Sequence, residues 1–139
     1  MRYTESLYDA FMYPLEAVAL ARIRRTIVPA ASGVVLEIGV GTGANLPHFL
    51  WERIGELHLL DMSLEARVTE YSPPSSAATV LQCHEGRAES LPFQDQTFDT
   101  VVFTMVFCSV TDQQLGLSEA RRVLRPGGLL VFAEHVRPP

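Results

Sequence analysis

The chain reads as one α/β domain, a parallel sheet with helices on both faces. Short apolar runs of strand length alternate with segments whose apolar residues recur at helical spacing, and strands apolar throughout belong in a sheet covered on both sides. The first such run, Val34-Val35-Leu36-Glu37-Ile38, passes straight into Gly39-Val40-Gly41-Thr42-Gly43-Ala44-Asn45. Three glycines in that turn remove the Cβ atoms that would keep a flat or charged ligand off the backbone. Asp61, about 20 residues past the turn, closes the next apolar run, where a carboxylate can accept hydrogen bonds from the hydroxyls of a ribose.

From the N-terminus, Leu15, Val18, Ala19, Ile23 and Ile27 predict an amphipathic helix over residues 14–28, closed by Pro29 and Gly33. Strand one is 34–38. Asn45 is a candidate cap, and Pro47 suits a first helical turn, where its missing N–H does no harm. A helix with Leu46, Phe49, Leu50 and Ile54 on one face is therefore expected after the glycine turn. Strand two is 57–60, ending at Asp61. Ser63 is placed to cap a third helix carrying Leu64, Val68 and Tyr71, which Pro73 and Pro74 stop. Strand three is 79–83 and strand four 98–103. Thr111 and Gln114 have capping-box spacing, and Leu117, Ala120 and Leu124 are expected to face inward on the helix that follows. Pro126-Gly127-Gly128 ends that helix, and 129–133 is strand five.

At 139 residues a single domain is expected, with 1–30 as an N-terminal helical segment over the ligand site and 31–139 as the core. All 11 basic residues are arginines and the formal charge is −5, which argues against binding nucleic acid through its phosphates. Arg22, Arg24 and Arg25 cluster as a solvated helix face would. Cys83 and Cys108 sit in apolar surroundings and are expected to be buried free thiols in a reducing compartment, so a cytoplasmic location is expected. Residues 1–11 lack the apolar core of a signal peptide, and no apolar stretch is long enough to span a bilayer. His48, His58, His84 and His135 show no metal-ligand spacing with one another or with the cysteines, so no metal is expected.

The glycine turn and Asp61 alone suit any cofactor with an adenosine ribose, a dinucleotide among them. Later segments narrow the choice. Gly86-Arg87-Ala88-Glu89-Ser90-Leu91-Pro92-Phe93, then Gln94-Asp95-Gln96-Thr97-Phe98-Asp99, then Leu124-Arg125-Pro126-Gly127-Gly128, follow the glycine turn in fixed order. Together these segments resemble class I S-adenosyl-L-methionine (SAM) dependent methyltransferases of the group called methyltransferase type 11. Val106-Phe107-Cys108-Ser109-Val110 and Glu134-His135-Val136 are similar to a subset that includes phospholipid, quinone and thiol methyltransferases, and Tyr8-Asp9 with Met12-Tyr13-Pro14 looks like its entry segment.

The resemblance implies a Rossmann-like parallel sheet of strand order 3-2-1-4-5 that lacks the family's usual strands six and seven. It implies SAM as cofactor. Glu37 would face the amino-acid part of the cofactor. Gly39, Gly41 and Gly43 would admit it, with Val40 and Asn45 in the same turn. Asp61 would hold the ribose, and Met62 would pack on the adenine. Ala88 and Glu89 would read the adenine edge, and Thr104 would lie near the methionine moiety. Arg87 stands where many relatives carry an aspartate, and a guanidinium cannot accept a hydrogen bond from the adenine amino group. Tyr8 or Tyr13 is a candidate for the methionine end. No catalytic residue is assigned: His135 at the end of strand five is a candidate base, and Cys108 is read as packing. The expected activity is methyl transfer to a small or lipophilic acceptor; the alternative is a truncated, non-catalytic SAM-binding or assembly module. Without strand seven the apolar strand five is an open edge, and a homodimer through it is expected.

Overall fold

The structure is a computed structural model; it describes the backbone of residues 2–135 and the side chains of residues 14–135. Five parallel strands form one sheet, β1 (Gly33–Ile38), β2 (Ile54–Asp61), β3 (Val80–Glu85), β4 (Phe98–Thr104) and β5 (Leu124–Ala133). Their order is β3-β2-β1-β4-β5, as the sequence implies. The most apolar strands take the centre because they are buried on both faces. Val35, Leu36 and Ile38 on β1, Leu57, Leu59 and Leu60 on β2, and Val101 and Val102 on β4 are all essentially inaccessible.

Strand alternation sends these residues into two cores. Val35, Leu57, Leu59, Val102 and Val131 face one side, where Val28, Ala31, Leu46, Phe49 and Val68 cover them. Leu36, Ile38, Leu60, Val101 and Phe103 face the other, against Phe98, Ala120 and Val123. Helix α1 (Arg2–Ile27) leads into the first core and α3 (Gln113–Val123) packs on the second.

Several local expectations are corrected. No α-helix follows the glycine turn: the chain makes two 3-10 turns, Leu46–His48 and Trp51–Arg53, and Ile54 already begins β2. Leu46 and Phe49 are buried as expected, but from turns rather than from a helical face. The third helix shrinks to α2 (Ala66–Thr69). Helix α1 starts far earlier than residue 14, and its apolar stripe is not covered: Leu15 and Val18 are more than half exposed. The cap of α3 is Asp112, whose Oδ1 accepts from Leu115 N at 3.0 Å, in place of the Thr111–Gln114 pair. Leu117 points outward. Leu124 already pairs with Phe98, residues 125–128 bulge out, and the regular ladder runs from Leu129 opposite Thr100 to Ala133 opposite Thr104. Cys108 is exposed and Cys83 half-buried, so neither is the fully buried thiol expected.

Candidate functional site

The site lies at the carboxyl ends of β1, β2 and β4. The amides of Gly39 and Val40 both donate to Leu60 O, at 2.7 and 3.2 Å, and tie the glycine turn to the end of β2. Gly39 has φ +71°, and a Cβ there would meet the Val106 methyls at 2.5 Å. Gly41 has φ +54° with open space where its Cβ would be, so this stretch of backbone is bare. Asp61 faces it: Oδ2 accepts from Gly41 N at 2.8 Å and Oδ1 from Ser63 N at 3.2 Å. A carboxylate offers about four lone-pair sites, so two remain for a ligand.

Between these parts opens a cleft of about 260 Å³, lined by Gly39, Gly41, Asp61 and Met62 on one side and by Ala88, Glu89, Met105, Val106 and Ser109 on the other. Met62 stands at its lip, 62% exposed, with nothing described packed over it. Ala88 is buried in the opposite wall. The Glu89 carboxylate is already engaged, with Oε1 accepting from Thr111 N at 3.0 Å and Arg87 Nε 3.8 Å from Oε2. Backbone hydrogen bonds, its own amide first, hold this carboxyl below its usual range.

Glu37, Asn45 and Thr104 do not line the cleft; they form a buried polar cluster on the α1 side of the sheet. Asn45 Nδ2 donates to Glu37 Oε1 at 2.7 Å and to Thr104 Oγ1 at 3.1 Å. Asn45 therefore braces this cluster and does not cap a helix. Glu37 Oε2 is buried with no hydrogen-bond partner among the described residues. Burial pushes the Glu37 carboxyl up to about 8, against the opposing pull of Asn45 and of the Arg24 guanidinium. Arg24 reaches this region from α1, and its Nε is also buried without a described partner. Sequence reasoning missed Arg24 because it sits in a run of arginines, of which Arg22 and Arg25 are exposed as a solvated face should be. Val40 and Gly43 are buried inside the turn, with Gly43 N donating to Val40 O at 2.9 Å.

The wall after β4 is anchored from β5. Glu134 Oε1 accepts from Val106 N at 2.9 Å and Phe107 N at 3.2 Å, which fixes the turn Phe107–Ser109. Met105, just before it, has φ +57°, unusual for a residue with a side chain. Met105 also lines a second cavity of about 160 Å³, between Ala19, Leu20 and Ile23 of α1 and Ala133, Glu134 and His135. The side chains of Tyr8 and Tyr13 lie outside the described residues.

The remaining histidines are elsewhere. His58 Nδ1 and His84 Nε2 are 3.0 Å apart in a stacked pair beside Phe93, on the sheet face opposite Glu37. Among the described residues no cluster of histidine, cysteine and carboxylate side chains is placed to hold a metal, and no helix is long and apolar enough to cross a membrane.

Comparison with known proteins agrees with this arrangement. The methyltransferase domain family matches residues 36–132. A phosphatidylethanolamine N-methyltransferase of Cereibacter sphaeroides is 38% identical over 116 residues, covering 81% of this chain and 56% of that protein. A thiol S-methyltransferase of Homo sapiens is 37% identical over 126 residues, covering 78% of this chain and 46% of its own length. A ubiquinone/menaquinone biosynthesis C-methyltransferase of Roseobacter denitrificans is 36% identical over 118 residues, with 81% and 46% covered. The chain thus spans about half the length of the curated relatives it matches. Among solved structures, a methyltransferase in complex with the activator Trm112 from Haloferax volcanii superposes with a TM-score of 0.67 at 25% identity, over 94% of this chain and 57% of that one. A family match over most of the chain, on the sheet order that carries the glycine turn, settles the assignment: the chain belongs to the class I SAM-dependent methyltransferases.

Proposed function

We propose that this protein binds SAM in the cleft of the glycine turn and transfers its methyl group to a small, lipophilic acceptor. The observation that carries the reading is the Asp61 carboxylate held at 2.8 Å on the amide of the uncovered Gly41, the two together forming one wall of an open cleft. A nucleoside fits there, with its ribose on Asp61 and its base between Met62 and Ala88. The orphaned atoms of Glu37 and Arg24 suit the opposite, charged end of the same cofactor. Bound SAM supplies a sulfonium, whose methyl group needs only an aligned nucleophile. The chain's task is to orient the two partners and keep water out.

The acceptor side is supported by the second cavity. It shares Met105 with the cofactor cleft, and Ala19, Leu20, Ile23 and Ala133 give it apolar walls between Glu16, Glu134 and His135. Relatives named for phosphatidylethanolamine, for thiols and for ubiquinone/menaquinone biosynthesis fit an acceptor of this kind. Glu134 is committed to the Val106 and Phe107 amides, so His135 is the proposed base where an acceptor must lose a proton.

Calorimetric titration with S-adenosylhomocysteine, on wild type and Asp61→Ala, tests the cofactor site. Loss of hydrogen bonds to a charged group costs about 1.5–3 kcal/mol, so affinity should fall about tenfold to a hundredfold. 5′-Methylthioadenosine, which keeps the ribose, should lose a similar factor. Unchanged affinity in the variant, or tighter binding of NAD than of S-adenosylhomocysteine, would defeat the reading. Radiolabelled methyl transfer to thiols, quinols and amino lipids tests turnover. Binding without transfer to any of them would favour the non-catalytic module.

A further inference from the structure

The cleft wall made by Gly86, Ala88 and Glu89 belongs to the loop between β3 and β4, so its position depends on what ties that loop down. At its start, Gly86 N donates to Asp61 O at 2.9 Å. The other ties run to α3. Glu89 holds Thr111 N, just ahead of that helix, and Leu91 N donates to Glu119 Oε2 at 2.8 Å. Arg122, three residues beyond Glu119, closes over the same loop. A guanidinium has five N–H groups, and all are used here. Nε donates to Glu119 Oε1 at 2.7 Å, and Nη2 to Glu119 Oε2 at 2.9 Å and Leu91 O at 3.1 Å. Nη1 donates to Phe93 O and to Asp95 Oδ1, both at 2.8 Å.

Backbone bonds already join this loop to the helix, from Gln96 N to Arg122 O at 2.9 Å and from Thr97 N to Val123 O at 2.8 Å. The side chains add placement. A planar guanidinium offers its donors in a fixed fork, so it sets both the distance and the angle of residues 91–95 against α3. Resting on the cofactor reading above, in which the base lies between Met62 and Ala88, we propose that Arg122 and Glu119 are positioning residues for base recognition. They act through Leu91 and fix the separation of the 86–90 wall from Met62; neither lines the cleft itself. A purine is flat and rigid, and hydrogen bonds to its edge weaken steeply once distance or angle drifts. The ribose end is built differently: Asp61 is held by Gly41 and Ser63, with no part played by α3. The pair therefore governs which base is accepted and leaves the ribose contact alone.

The test compares S-adenosylhomocysteine with S-inosylhomocysteine, which keeps the ribose and amino-acid parts and carries a 6-oxo purine in place of adenine. Both are titrated by calorimetry into wild type, Arg122→Lys, Glu119→Gln and Val123→Ala, each shown folded by circular dichroism. Wild type should prefer S-adenosylhomocysteine about tenfold, the scale of one hydrogen bond. Arg122→Lys keeps the charge and loses the fork; Glu119→Gln keeps the shape and loses an acceptor. Each should weaken S-adenosylhomocysteine by up to about tenfold and leave S-inosylhomocysteine within about twofold, so that the preference shrinks toward one. Either variant carries the test if the other fails to fold. Val123 is buried on the same helix, and Val123→Ala should lower the urea midpoint while the preference stays at the wild-type value. Wild type without a preference, a preference kept when the pair is altered, or one lost equally in Val123→Ala overturns the proposal and leaves the nucleoside site standing. A folded wild-type chain that binds neither ligand overturns the cofactor reading, and this inference with it.

Discussion

Glu37 replaces what would otherwise be another apolar residue in the central strand of the sheet, and its cost is visible in the pH dependence it imposes on folding. In the unfolded chain it ionises near 4.5, and in the folded protein only near 8. Between those values the native state holds more protons than the unfolded state, so stability from this residue is full below 4.5 and declines as pH rises. The slope is at most about 1.4 kcal/mol per pH unit and flattens above 8. Asp99 and Glu119 act in the opposite sense. Val34 N and then Arg125 hold Asp99 low, and Arg122 holds Glu119 low, so their contributions are present at neutral pH and lost on acidification. Glu37→Gln cancels these background terms when compared with wild type at each pH. Urea unfolding at pH 5, 6.5 and 8 should show the variant gaining stability relative to wild type as pH rises. A difference that stays flat over that window would show that Glu37 is ionised in the free protein.

At the level of elements, α3 gives the clearest local test. Its first turn hangs on Asp112, whose carboxylate takes the Leu115 amide, three residues on. Asp112→Ala should cost about 1 kcal/mol, seen as a lower urea midpoint at unchanged slope. Asp112→Ser should recover most of it, and an Asp112→Ala variant as stable as wild type would count against this cap. The same element shows where sequence reading stops. The strands were legible because runs such as Leu57 to Leu60 bury side chains on both faces and suit little else. The helix expected after the glycine turn was not, because Leu46 and Phe49 satisfy two geometries equally. Only nine residues separate Gly43 from Arg53, and two 3-10 turns bury the same side chains in that space. The stripe on α1 predicted a helix correctly and its packing incorrectly, since Leu15 and Val18 have nothing described over them. In the site, Gly39, Gly41 and Asp61 were readable because the glycine turn and a carboxylate closing the next apolar run are visible in the order of residues. Arg24 and Glu134 were not, since each acts through a partner on another element, Glu37 on β1 for the first and the Val106–Phe107 amides after β4 for the second.

Taken whole, the sheet is closed on its faces and open at its β5 edge. β5, the last strand in the order, pairs only with β4. Leu129 and Phe132 on β5 are 44% and 57% exposed, and Phe132, with Phe103, Phe107, Leu117 and Leu130, borders a hollow of about 730 Å³ against α3 that Gln113, Glu134 and His135 also line. An open strand edge beside exposed apolar side chains is a template for pairing, and the regular ladder Leu129–Ala133 holds neither the proline nor the lysine that commonly blunts one. The 139-residue chain on its own should therefore self-associate through β5. Val131 is nearly buried and a change there would report on the core, so the informative variant is Leu129→Lys with Phe132→Lys. These lysines keep the backbone pairing to β4, where Leu129 sits opposite Thr100 and Phe132 opposite Phe103, and place charge on the outer flank. Phe132 stacks on Phe103 at 5.4 Å, so circular dichroism must first show that the double variant is folded. Light scattering should then give a mass above the 15.4 kDa monomer for wild type and the monomer for the variant. A wild-type chain that stays monomeric at high micromolar concentration would mean the edge is too twisted, or too well shielded by α1, to pair.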